Sequence, residues 1–153
     1  MRHRVAIAGL GPRGLAHLRG FLENPERFEV TGISDLTTER ISAAVGQFGN
    51  IPSFADARTM LEATRPDVFC FCTPPAVRLP LARLAAEFGV RGVAMEKPLA
   101  VSLAEARKLR DVLDSSGIRT VVCLQHKYLT QMQKLHGIVH SGALGELRTV
   151  EAS

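Results

Sequence analysis

The sequence predicts a doubly wound α/β domain, an open and mostly parallel sheet with helices on both faces. Three observations predict it. Short apolar runs alternate with segments of helical periodicity along most of the chain. The connections between them are short, as strand–helix–strand units require. The first strand-to-helix junction carries the glycine pattern Gly9-x-Gly11-x-x-Gly14.

The elements follow in order. Arg4–Ala8 is the first strand, and Leu15, Leu18 and Leu22 then fall on one face of a helix. Phe28–Ser34 is a second strand that ends at Asp35. Ile41, Ala44, Val45 and Phe48 form the inner stripe of a helix over Thr38–Phe48, which Gly49 stops. Pro52-Ser53-Phe54 is a short extended piece, and Ala57–Thr64 is a short helix closed by Pro66. Asp67–Cys72 reads as a buried strand that Thr73-Pro74-Pro75 must end, because proline lacks the ladder N–H. A helix with Pro80 in its first turn follows, with Leu81, Leu84, Ala85 and Phe88 inward and Gly89 as its cap. Val90–Met95 is the next strand. Ser102-x-x-Glu105 is a capping box opening a helix whose core face is Leu103, Ala106, Leu109 and Leu113. Gly117 ends it, and Ile118–Leu124 is a fifth strand. A last helix over Gln131–His140 precedes the turn Gly142–Gly145. Leu147–Ala152 alternates and reads as the start of a strand. An unpaired strand there is a pairing edge, so self-association into a homo-oligomer is expected.

Composition narrows the function. The chain has 153 residues, 46% of them hydrophobic, enough for one domain with its own core. No apolar run approaches the ~20 residues that span a membrane. The apolar run after the basic Met1–Arg4 lead is too short for a signal peptide. The net charge is +4, but the basic residues are scattered, and Arg107, Lys108 and Arg110 share their helix with Glu105 and Asp111. That is a solvated helix face, so neither nucleic acid nor a membrane is an expected partner. The three cysteines, Cys70, Cys72 and Cys123, lack zinc-ligand spacing, and no metal site is expected. Free thiols point to a reducing, cytoplasmic setting.

The glycine pattern carries the chemistry. Strand, tight glycine turn and helix N-terminus are what a dinucleotide pyrophosphate needs. Gly9 allows the turn, Gly11 lets the backbone approach the phosphates, and Gly14 lets the helix pack against the strand. The whole turn, with Leu10, Pro12 and Arg13, is therefore a candidate cofactor contact. The helix N-terminus adds N–H donors and partial positive charge. Asp35, directly after the second strand, can accept hydrogen bonds from the adenosine ribose, and its charge disfavours a 2′-phosphate. The cofactor expected is NAD, although Arg40 nearby leaves NADP open. Thr73-Pro74-Pro75 and Met95-Glu96-Lys97-Pro98 end two further strands at the same sheet edge. A lysine placed there is expected to be partly desolvated and able to exchange a proton with a substrate hydroxyl.

Taken together, the ordered segments Gly9–His17, Ile33-Ser34-Asp35, Cys72-Thr73-Pro74-Pro75 and Glu96-Lys97-Pro98 resemble the Gfo/Idh/MocA family of NAD(P)-dependent oxidoreductases, the glucose–fructose oxidoreductase and inositol dehydrogenase type. The resemblance implies a Rossmann fold over residues 1–124, with 125–153 a covering helix and the start of a second domain that is essentially absent. It implies hydride transfer between nicotinamide and a sugar-like or polyol secondary alcohol, with Lys97 as catalytic lysine. It places Glu96 near the nicotinamide ribose, Cys72, Thr73 and Pro74 beside the cofactor, and Gln125 toward the nicotinamide. His17 matches a histidine common after the family's glycine turn. Three positions depart from the family pattern: Pro75 stands for an Asn, Arg78 for a His, and Lys127 where an Arg is frequent. The rival expectation is a non-catalytic dinucleotide-binding module that needs a partner or a missing domain.

Overall fold

The computed structural model describes residues 2–151. Its elements in chain order are β1 His3–Ala8, α1 Pro12–Leu22, β2 Phe28–Ser34, α2 Thr38–Phe48, β3 Ser53–Phe54, α3 Ala57–Thr64, β4 Val68–Phe71, α4 Arg78–Glu87, β5 Gly92–Met95, α5 Leu103–Ser115, β6 Arg119–Val122 and α6 Thr130–His140. Short 3-10 turns occupy Pro75–Val77 and Gln125–Tyr128. Strands β1 to β6 form one sheet in the order β3-β2-β1-β4-β5-β6. Each neighbouring pair is parallel, so the sheet is wholly rather than mostly parallel among the described residues. The order reverses between β1 and β4, which opens a crevice at the C-terminal ends of those strands.

The strand alternation divides the core into two layers. Ala6, Ala8, Phe69, Phe71, Val93 and Met95 point to the face covered by α3, α4 and α5. Val5, Ile7, Ile33 and Cys70 point to the face covered by α1 and α2. Both faces of β1 and β4 are buried, which explains their near-continuous apolar sequence.

Helix ends follow local chemistry. The Ser102 hydroxyl accepts from the Glu105 N–H at 3.2 Å, while the Glu105 carboxylate reaches back to the Val101 N–H at 3.3 Å. Gly117 (φ 64°) ends α5, and the Ile118 N–H closes onto the Leu113 carbonyl at 3.0 Å.

Three sequence expectations are corrected. Leu103, the first residue of α5, is 67% exposed, and Leu109 and Leu113 carry the buried stripe. The centre of α4 is Ala82 with Ala85, both fully buried, and Leu81, Leu84 and Phe88 flank them half-buried. Close helix packing selects the small side chains at the contact line. No strand forms over residues 147–151, since alternation without a ladder partner leaves the backbone unpaired. Ala152, the last residue of the strand expected there, lies outside the described residues.

The chain divides into two compact units, Met1–Cys123 and Leu124–Ser153. The first holds the sheet. The second holds the turn at Gln125–Tyr128 and α6, on which the His136 and His140 rings stack at 3.9 Å.

Candidate functional site

The glycine turn is built as its spacing demands. Gly9 has φ 88°, a conformation that a side chain makes strained, and a Cβ there would stand 2.7 Å from the Cys72 carbonyl oxygen. A Cβ on Gly14 would collide with the Gly9 carbonyl oxygen. These two glycines are consumed by the packing of the turn, α1 and the end of β4. Gly11 differs, because a Cβ there would meet nothing within 4 Å. Its bare face opens onto the N-terminus of α1, which no side chain caps. This is the cradle a pyrophosphate would fill.

Asp35 ties the end of β2 to that turn. Its Oδ2 accepts from the Leu10 N–H at 2.7 Å and its Oδ1 from the Thr37 N–H at 2.9 Å. Arg40 Nη1 lies 3.5 Å from Oδ2. Burial pushes the carboxyl up, but the two N–H donors and the Arg40 charge outweigh it and hold Asp35 below its ordinary value. A carboxylate offers about four lone-pair positions, so acceptance from a ribose hydroxyl remains compatible with these bonds.

The ends of β4 and β5 meet through Arg78. Its guanidinium is almost fully buried and donates to the Thr73 carbonyl at 2.9 Å and to the carbonyls of Glu96 and Pro98. One side chain thus fastens the Thr73-Pro74-Pro75 loop to the Glu96-Lys97-Pro98 loop. Thr73 Oγ1 is buried with no hydrogen-bond partner among the described residues, a polar atom waiting for a ligand at this edge. Glu96 is buried and its Oε1 lies 3.0 Å from His17 Nε2 on α1. Lys97 is exposed, so the desolvation expected from its position at a strand end is not found. Burial pushes the Cys123 thiol up to about 11, with the Glu96 charge adding to it. The Cys70 thiol donates to Cys72, which lowers Cys72 and raises Cys70.

The expected residues from Gly9 to Lys97 thus gather on one edge of the sheet, at the ends of β1, β2, β4 and β5. Gln125 belongs to the second compact unit. Sequence reasoning missed the His17–Glu96 pair and the Arg78 clamp. Arg78 carried a signal, a lone cation opening an apolar helix directly after a proline turn.

The residues fit a nicotinamide dinucleotide. Gly11 leaves room, α1 presents an uncapped N-terminus, and Thr73 offers an unsatisfied hydroxyl. The comparisons agree. Residues 3–124 match the oxidoreductase family with an NAD-binding Rossmann fold. The chain is 28% identical to D-glucoside 3-dehydrogenase of Escherichia coli over 97% of its own length and 42% of the relative's. It is 28% identical to D-apiose dehydrogenase of Paraburkholderia graminis over 94% of its length and 38% of the relative's. The chain therefore spans less than half the length of these curated relatives. Among solved structures, the WlbA dehydrogenase of Bordetella pertussis, crystallised with NADH and UDP-GlcNAcA, superposes with a TM-score of 0.84. That match covers 95% of this chain and 44% of the other at 23% identity, a likeness of fold.

Proposed function

The chain belongs to the Gfo/Idh/MocA oxidoreductase family, and we propose that it is the cofactor-holding part of a dehydrogenase acting on a sugar-like or polyol secondary alcohol. The carrying observation is the convergence of four strand-end segments on one crevice, with the middle glycine's face left open. The names of the relatives, dehydrogenases of D-glucosides and D-apiose, support the substrate class.

Gly9, Leu10, Gly11, Pro12, Arg13 and Gly14 would hold the pyrophosphate. Asp35 would hold the adenosine ribose, and its charge would favour NAD over NADP by repelling a 2′-phosphate. Cys72, Thr73 and Pro74 would line the nicotinamide side, and Glu96 would orient its ribose. Bound NAD supplies the hydride acceptor or donor. Lys97 Nζ would hold and move the proton of the substrate hydroxyl at the exposed mouth of the crevice. Three cysteines outside any disulfide suit a reducing, cytoplasmic setting. Among the described residues, no helix is long and apolar enough to cross a membrane.

Titrating NADH into the 153-residue chain, beside a turnover assay on a polyol panel, tests the reading. NADH binding is expected; its absence overturns the proposal. Binding without turnover favours the second reading, a dinucleotide module completed by another domain or partner. In a longer chain carrying the substrate domain, Lys97→Met should lower kcat at least about a thousandfold while sparing NADH affinity. Unchanged turnover would remove Lys97 from its role.

A further inference from the structure

A cluster of donor atoms shares Glu96 with the expected dinucleotide contacts but has the chemistry of a metal-ligand set. His17 Nε2, a Glu96 carboxylate oxygen and Cys123 Sγ lie within 4.8 Å of one another. They come from three elements: α1, the end of β5 and the residue after β6. The closest pair, His17 Nε2 and Glu96 Oε1, is 3.0 Å apart. Glu96 is buried, His17's side chain is 26% exposed and Cys123 is partly exposed, so the cluster is reachable from solvent on one side.

We propose that His17, Glu96 and Cys123 bind a thiophilic divalent cation of the Zn2+ class, with a fourth position left to water. Imidazole, carboxylate and thiolate are the ligand types such an ion takes, whereas a hard cation such as Mg2+ would reject the sulfur. Zinc bonds of about 2.0–2.3 Å in a tetrahedral array set donor atoms about 3.5 Å apart. Reaching that spacing asks the 3.0 Å His17–Glu96 pair to open slightly and any pair near the 4.8 Å limit to close by about 1 Å. The charge balances as well. One carboxylate and one thiolate neutralise the ion, so the guanidinium of Arg78 nearby faces no net positive centre. The site would clamp α1 to the ends of β5 and β6. The inference does not depend on the cofactor assignment, since its readouts require no dinucleotide.

The test uses the reduced, metal-free 153-residue chain and Co2+ alone, with Zn2+ as competitor. One equivalent of Co2+ should give tetrahedral d–d bands and a thiolate-to-cobalt charge-transfer band, both displaced by Zn2+. Cys123→Ser should abolish the charge-transfer band, and His17→Gln should weaken Co2+ binding at least tenfold. Cys72→Ser should keep the band. Zn2+ should also raise the thermal midpoint of the native chain and leave that of Cys123→Ser unchanged, with circular dichroism confirming that the variant is folded. Absence of the band in the native chain overturns the proposal. So does a band that survives in Cys123→Ser, or one lost instead in Cys72→Ser. A His17→Gln affinity equal to that of the native chain overturns it too.

Discussion

Single residues decide whether the turn can exist and whether it can bind. Gly14 has no room, because its missing side chain is where the Gly9 carbonyl sits. Gly14→Ala should therefore cost about 4 kcal/mol or more, read as loss of the cooperative unfolding transition. Gly11 has φ −66°, an ordinary backbone value, and open space where its Cβ would project. Gly11→Ala should leave the thermal midpoint nearly unchanged and weaken NADH binding at least about tenfold, since the methyl would occupy the pyrophosphate's approach. Equal losses in the two variants would show that both glycines serve packing alone. Asp35 makes a prediction in pH. Its folded pKa is depressed below the ordinary 3.8, so its contribution is present above that value and lost as pH falls through the folded pKa. Asp35→Asn should flatten the decline in stability below about pH 4 and cost about 1–3 kcal/mol at neutral pH, because one amide group now faces an N–H donor. Asp56 and Asp67 are depressed by the same kind of N–H bond, so acid denaturation should be softened and not abolished. Urea unfolding at a series of pH values reads both effects.

Elements were legible wherever their signal was local. The glycine turn, the capping box at Ser102 and the proline stop after β4 each depend on a few consecutive residues, and each was found where its chemistry required it. The capping box differs in one bond, since Glu105 reaches Val101 and not Ser102. Contacts across the sheet were not legible. His17 and Glu96 are 79 residues apart, and Arg78 serves carbonyls on two different loops. No spacing rule encodes such pairs, because they arise only when parallel strands bring their C-terminal ends together. The Arg78 clamp is the element-scale prediction. Arg78→Leu keeps the helix but strips a donor from three carbonyls, so it should cost about 2 kcal/mol or more. Arg78→Lys should recover only part of that, because an ammonium cannot reach as a planar fork does. Guanidinium unfolding of the three proteins would decide it; a Lys variant as stable as the native chain would mean that charge alone suffices there.

At the scale of the whole unit from Met1 to Cys123, the two faces of the sheet are unequal. One is covered by α3, α4 and α5 as far as β5, while the other is covered by α1 and α2 over its first half. The uncovered half left a trace in the sequence, because β6 reads Arg119-Thr120-Val121-Val122, less apolar than the buried β4 run Val68-Phe69-Cys70-Phe71. Alternation in parity predicts that Val68, Ala94 and Val121 share this face with Val5 and Ile7. They do, and they line an open cavity of about 620 Å³ that also touches Gly92 and Arg119. Val121, in a strand interior, is 61% exposed. Its burial therefore contributes little to the unit, in contrast to Val93 one strand away, which is 2% exposed. Val121→Thr should change stability by no more than about 0.5 kcal/mol, since an exposed β-branched residue replaces another. Val93→Thr should cost about 1–3 kcal/mol, because a buried hydroxyl without a partner replaces a methyl. Measuring both by urea denaturation separates a sheet finished on both faces from one with a bare half. A loss in Val121→Thr as large as that in Val93→Thr would mean that the β6 face is covered in solution.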